Sequence, residues 1–318
     1  MISERCINEM NEIVRNINGK ICEEDRAYVF WCPKDFKTKG GVIREGYVLY
    51  AYGGVVVIIY ETNKRVTCKF ITDQNYSIYF GKDWNKINQL REAIKNAKYS
   101  SSTGEKIKID WLKEITAEEW SMIFKGYKQR AEKTDPINKT DDKLYLERER
   151  ETAISTYNND IDQMLIVAME MYVYMPNGDN PRADMVGIRR EQNGYVISFI
   201  EYKCTEGGLK GVTLREHYDD MIGYYDDAQL KKKILEYLTR KKLVEGMDWL
   251  QDIEDKDVKS EMVFLFSHVN YDKKGALKQQ DIDCSLFELM ADIESKNLVK
   301  PRIVYIKDEY AWIENKQE

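Results

Sequence analysis

Histidine is almost missing: two among 318 residues exclude a His-rich metal centre and leave little room for histidine-driven catalysis. The six cysteines (Cys6, Cys22, Cys32, Cys68, Cys204, Cys284) make no CxxC pair, which excludes a local zinc site and a disulfide framework. Free thiols of this kind fit a reducing cytoplasm. No apolar run approaches the ~20 residues a bilayer crossing needs, and the opening MISERCINEM has no apolar signal core. A cytoplasmic protein without a membrane partner is expected. There is no GxxxxGK[ST] loop for nucleotide hydrolysis and no GxSxG nucleophile turn. Internal repeats, coiled-coil heptads and low-complexity tracts are lacking too.

What is present is ample core material. Hydrophobic residues make up 43% and aromatics 12%, with 33% charged residues to keep the surface wet. The length is roughly twice that of a common domain, so two domains are expected. Net charge is −6, unevenly placed: residues 1–140 carry +5 and residues 141–318 carry −11. An acidic second half argues against simple phosphate coating and permits a site that gathers carboxylates around a cation.

Residues 3–17 read as an amphipathic helix, with Ile7, Met10, Ile13, Val14 and Ile17 near helical spacing. Five short strands follow: Ala27–Cys32, Gly46–Ala51, Val55–Glu61, Val66–Ile71 and Tyr76–Phe80, parted by turn sequences such as Gly53-Gly54 and Thr62-Asn63-Lys64. Helices are expected over 85–97 and 117–132, and polar Lys133–Asp142 marks a boundary. The division is therefore 1–138, a recognition or regulatory domain with a small antiparallel sheet, and 139–318. The second part reads as a helix over 142–158, strands at 164–174, 182–190 and 195–203, helices near 213–224 and 227–244, and a strand at 262–268. A helix at 286–297 and a strand at 302–307 complete it. The fold class is mixed α+β or α/β.

One constellation carries chemistry. Asp184 opens one strand, and Glu201 and Lys203 close the next, with an Asn193-Gly194 turn between the two. Positions i and i+2 of a strand share a face, so Glu201 and Lys203 point together while Tyr202 points away. A register symmetric about the turn brings Asp184 beside Glu201. Charges on a largely apolar strand are costly unless paired or bound to metal. Two converging carboxylates suit a hard divalent cation such as Mg²⁺, and a neighbouring lysine can serve an attacking water. Bare acid-x-lysine spacing is weak on its own. Asp35-Phe-Lys37, Glu254-Asp-Lys256, Asp272-Lys-Lys274, Glu294-Ser-Lys296 and Glu314-Asn-Lys316 repeat it in what read as loops or helices. Only Glu201-Tyr-Lys203 closes a strongly β-forming strand with an aspartate on the strand before it.

Pro181-Arg-Ala-Asp184 with Glu201-Tyr-Lys203 resembles the PD-(D/E)xK motif of the restriction-endonuclease-like nucleases, with two residues between the proline and the aspartate. The resemblance covers about 142–268, including the αβββαβ element order with a central mixed sheet flanked by helices. It implies a metal-dependent endonuclease or exonuclease acting on nucleic acid, DNA ahead of RNA, with a homodimer as one possible assembly. Asp184, Glu201 and the backbone carbonyl of Tyr202 would be metal ligands for Mg²⁺, with Mn²⁺ as substitute, and Lys203 would serve the nucleophile. The family often adds a glutamate from the preceding helix. Of Glu147, Glu149 and Glu151, a helical wheel puts Glu147 nearest the stripe of Leu146, Ala153, Ile154 and Tyr157, with Glu151, one turn along, as the substitute. Two-domain chains of this kind are similar to restriction and anti-phage nucleases.

Other features read as structural first. Gly207-Gly208 turns the chain after the motif. His217 and Tyr218 fall where the family often places glutamine and tyrosine, yet a lone histidine on a helix is more often a packing or surface residue. Lys231-Lys-Lys233 and Arg240-Lys-Lys242 could meet a phosphate backbone, although such runs usually form a solvated helix face. Cys204 reads as a small buried residue. The first domain shows no binding signature, so its ligand or partner is unknown. The competing readings are a non-catalytic nucleic-acid-binding or regulatory protein on the same scaffold, and an interaction protein built on the N-terminal sheet.

Overall fold

The computed structural model describes residues 3–37, 41–70, 77–98, 105–132, 142–160, 163–172, 182–204, 209, 214–222, 225, 228–245, 257–267, 269 and 277–306. The chain divides into two compact units, Met1–Thr152 with Tyr237–Asp248, and Ala153–Glu236 with Trp249–Glu318. The 138/139 junction read from composition lies outside the described residues.

The first unit is built on an antiparallel meander, β1 (Val29–Lys37), β2 (Ile43–Ala51), β3 (Gly54–Thr62) and β4 (Arg65–Phe70), paired in sequence order. Two connections are two-residue turns with both residues at left-handed φ: Tyr52 at 48° and Gly53 at 75°, then Asn63 at 51° and Lys64 at 57°. That is the geometry whose twist matches right-twisted strands. Helix α1 (Glu4–Asn18) turns Cys6, Met10, Ile13, Val14 and Ile17 inward and packs on β3 and β4. Trp120, Phe124 and Tyr127 of the helix Ala117–Glu132 are fully enclosed in the same core. Gly46 shows how close the strands run, because a Cβ there would lie 2.3 Å from the Ile59 carbonyl oxygen. Backbone cannot yield as a side chain can, so Gly46→Ala is expected to cost about 1–3 kcal/mol, read as a lower melting temperature with an unchanged far-ultraviolet spectrum.

Three expectations for this unit need correction. Ser77–Phe80 is a helical turn and not a fifth strand. Tyr79 and Phe80, adjacent in sequence, are both buried, and a strand would send them to opposite faces. Asp35-Phe-Lys37 lies in strand β1 and not in a loop. Finally, Arg240 and Lys241 are buried and do not form a solvated, phosphate-facing strip. Arg240 donates to Asp35 at 3.0 Å, and its carbonyl accepts from the Tyr47 hydroxyl at 2.8 Å. The Lys241 ammonium sits 4.2 Å from the Phe30 ring centre.

In the second unit the sheet order is β10-β9-β8-β7-β6-β5. The strands are β5 (Asn159–Asp160), β6 (Met164–Tyr172), β7 (Arg182–Glu191), β8 (Gly194–Lys203), β9 (Asp257–Ser267) and β10 (Arg302–Ile306). The β8–β9 and β9–β10 pairs are parallel and the others antiparallel, so the sheet is mixed. Every residue of β8 is buried, as its near-continuous run of Tyr, Val, Ile and Phe requires of a central strand. The β7–β8 turn is Gln192-Asn193, with Glu191 opposite Gly194, one residue earlier than the Asn-Gly pair read from sequence. Across one face, Glu261 of β9 accepts from Ser198 at 2.6 Å, from Arg189 at 3.2 Å and from Arg302 at 3.4 Å. This row ties four strands together on the face opposite Glu201 and Lys203. Together the two units give a mixed α/β protein with one antiparallel and one mixed sheet.

Candidate functional site

The β7–β8 register sets the site. Met185 pairs with Ile200, so Asp184 and Glu201 follow as the next opposed positions. Asp184, Glu201 and Lys203 are all buried, at 9%, 4% and 6% exposure, which makes the cluster a desolvated one. The backbone N–H of Tyr202 donates to Asp184 Oδ2 at 3.0 Å. A strand residue turns its N–H and C=O to the same neighbour, so the Tyr202 carbonyl lies along the Asp184 edge as well. Its side chain points to the opposite face, where the hydroxyl meets Ser267 Oγ at 2.5 Å. The Lys203 ammonium bonds Glu201 Oε1 and stands 3.9 Å from Asp184 Oδ2.

One ammonium does not balance this pair. Burial, and then the Asp184 charge, push the Glu201 carboxyl up to about 8, with Lys203 relieving only part of the shift. The Glu201 carboxyl therefore holds its proton more readily than an ordinary glutamate unless more positive charge arrives. That shortage is what a divalent cation fits. Two carboxylates and a carbonyl oxygen form a small, hard donor set, and Mg²⁺ keeps several waters of its own. Among the described residues no three His, Cys, Asp or Glu side chains gather into a fuller ligand set.

Three neighbours lie outside the site read from sequence: Arg182 and Glu170, and His217, which reads first as a packing or surface residue. His217 Nδ1 lies 3.0 Å from Glu201 Oε1. Burial, and then Lys203, push this imidazole down to about 4, so it is neutral at physiological pH. Arg182 binds Glu170 at 2.9 Å and reaches to 3.8 Å from Asp184. Its position two residues before Asp184 on one strand face was a readable signal. Glu170 gave none, because its left-handed φ of 43° breaks the alternation that a sequence pattern assumes. The side chains of Glu147 and Glu149 lie outside the described residues. Glu151 is buried, as are Thr152, Ala153, Ile154 and Ser155, while Tyr157 is exposed. Five consecutive buried residues leave no single stripe, so the wheel argument that favoured Glu147 does not apply to this end of the helix.

No family model matches the chain, and neither does any curated protein or solved structure.

Proposed function

We propose that the chain is a metal-dependent nuclease of the PD-(D/E)xK kind, hydrolysing phosphodiester bonds of nucleic acid, DNA ahead of RNA. The observation that carries this reading is the convergence of Asp184, Glu201 and Lys203 at the end of a fully buried central strand. The element order around them supports it. A helix, the short β5, the three strands β6 to β8, two helices and β9 contain the expected helix, three strands, helix and strand, with β5 and a second helix added. Asp184, Glu201 and the Tyr202 carbonyl would hold Mg²⁺ or Mn²⁺. When bound, such an ion stabilises the charge that develops on the phosphate. Lys203, which loses its own proton to solvent more readily in a site carrying extra positive charge, would as a neutral amine hold the attacking water and take its proton. A bond forms from the water oxygen to phosphorus, and the phosphate–ester oxygen bond breaks, leaving a phosphate monoester and a hydroxyl. Among the described residues, Arg182, exposed and 3.8 Å from Asp184, is a cation placed to meet a phosphate.

The test is incubation of the purified protein with plasmid, linear duplex, single-stranded DNA and RNA, in Mg²⁺, Mn²⁺ or EDTA. Cleavage that needs metal and disappears in Asp184→Asn is the expected result. Cleavage that persists in Asp184→Asn would mean contamination or a different site. Metal-independent binding of nucleic acid with no cleavage in any condition would favour the regulatory reading.

A further inference from the structure

We propose that His217 is a positioning residue for Glu201, donating from Nδ1 to Oε1 and so fixing the plane of that carboxyl group. The inference rests on the nuclease reading for its purpose but not for its geometry. Glu201 Oε1 faces two nitrogens, Lys203 Nζ and His217 Nδ1, the latter at 3.0 Å. An ammonium has no lone pair, so Oε1 must accept from Lys203. Any proton on the carboxyl group then resides on Oε2. Nδ1 therefore faces an acceptor and must carry the hydrogen, leaving Nε2 as the bare nitrogen.

The imidazole is held from its own side. The helix Leu214–Ile222 buries Leu214, Tyr218 and Met221, an i, i+4, i+7 stripe. The Tyr218 hydroxyl donates to the Val299 carbonyl at 2.7 Å. The helix is thus anchored by contacts that do not involve the carboxylates. His217, 22% exposed at its side chain, reaches from that fixed support to one oxygen of Glu201. The other oxygen is left to Asp184, the direction in which a shared cation would be bound. Outer partners of this kind typically tune metal affinity by about 10–100-fold.

The chain has only two histidines, so a ¹⁵N-histidine spectrum separates them readily. In metal-free protein at pH 8, His217 is expected as the Nδ1–H tautomer, and Glu201→Ala should release it from that form. An Nε2–H tautomer in the wild type overturns the proposal, whatever the metal results show. Mn²⁺ alone, followed by electron paramagnetic resonance, gives the second readout. His217→Ala should weaken binding about tenfold. His217→Asn, whose side-chain amide N–H stands near the Nδ1 position, should restore most of the loss. A folded Asn variant that binds as poorly as Ala overturns the role of the hydrogen bond. Mn²⁺ binding that survives Asp184→Asn would sink the nuclease-site reading instead, and the tautomer would still decide the His217 contact.

Discussion

Glu201→Gln is expected to abolish cleavage while making the metal-free protein more heat-stable at pH 8 and above. The carboxyl is pushed from its ordinary 4.5 up to about 8, first by burial and then by Asp184. Between those values the folded chain holds a proton that the unfolded chain gives up. The stability this contributes is complete below the lower value and is lost as pH rises through the upper one. Glutamine cannot ionise, so it escapes that loss, and its amide oxygen still accepts from Lys203 and His217. The melting temperature of the variant should exceed the wild type's by several degrees at pH 9, with the gap closing toward pH 5. The missing charge should lower turnover by at least about 100-fold. His217 shapes the acid side in the opposite sense. Its value is pushed from 6.5 down to about 4, so the stability linked to its neutral form is lost as pH falls through that window. Equal melting curves for wild type and Glu201→Gln across pH 5–9 would show that Glu201 is charged and well balanced in the fold.

Lys203→Met separates two roles that the geometry combines. The ammonium bonds Glu201 and lies 3.9 Å from Asp184, so it balances the carboxylates and also competes with any cation that joins them. Removing it should strip the attacking water of its partner and lower cleavage by about 100–10,000-fold, as for loss of a positioned acid or base. Mn²⁺ should nevertheless bind more tightly than to the wild type, and should raise the melting temperature further. The metal-free variant should be markedly less stable, because it leaves two buried carboxylates without their cation. Lys203→Arg keeps the charge but does not deprotonate, and should bind substrate without turning it over. Weaker Mn²⁺ binding in Lys203→Met would recast the lysine as a scaffold for the carboxylates.

Much of the candidate site could be read because it depends on local rules. Alternation places Asp184, Glu201 and Lys203 on one face of neighbouring strands, but the turn read at Asn193-Gly194 would set Asp184 opposite Lys203. Only the turn one residue earlier, at Gln192-Asn193, sets it opposite Glu201. Helix 117–132 was equally legible from its periodicity, and Ala117–Glu132 matches it. What failed depends on packing across long stretches of sequence. Asp35 and Arg240 look like surface charges in their own neighbourhoods and become a buried pair only across 205 positions. His217 stands at a family position in the sequence yet reads first as a packing or surface residue, because its contact with Glu201 depends on a helix that Tyr218 fixes beside Val299. Ser77–Phe80 reads as a strand by composition, yet burying two adjacent aromatics is something a helical turn does better.

The return of Tyr237–Asp248 to the first unit has a consequence for synthesis. Chains are made at about 5–20 residues per second, so Asp35 leaves the ribosome on the order of 10–40 seconds before Arg240 does. During that interval the β1–β2 sheet edge has no guanidinium for its carboxylate and no aromatic hydroxyl for the Asp35 amide, which Tyr237 later binds at 2.9 Å. The first unit is thus the first to be translated, yet it stays incomplete until Tyr237–Asp248 has followed most of the second unit off the ribosome. A fragment that stopped at residue 138 would keep the nascent chain's problem permanently.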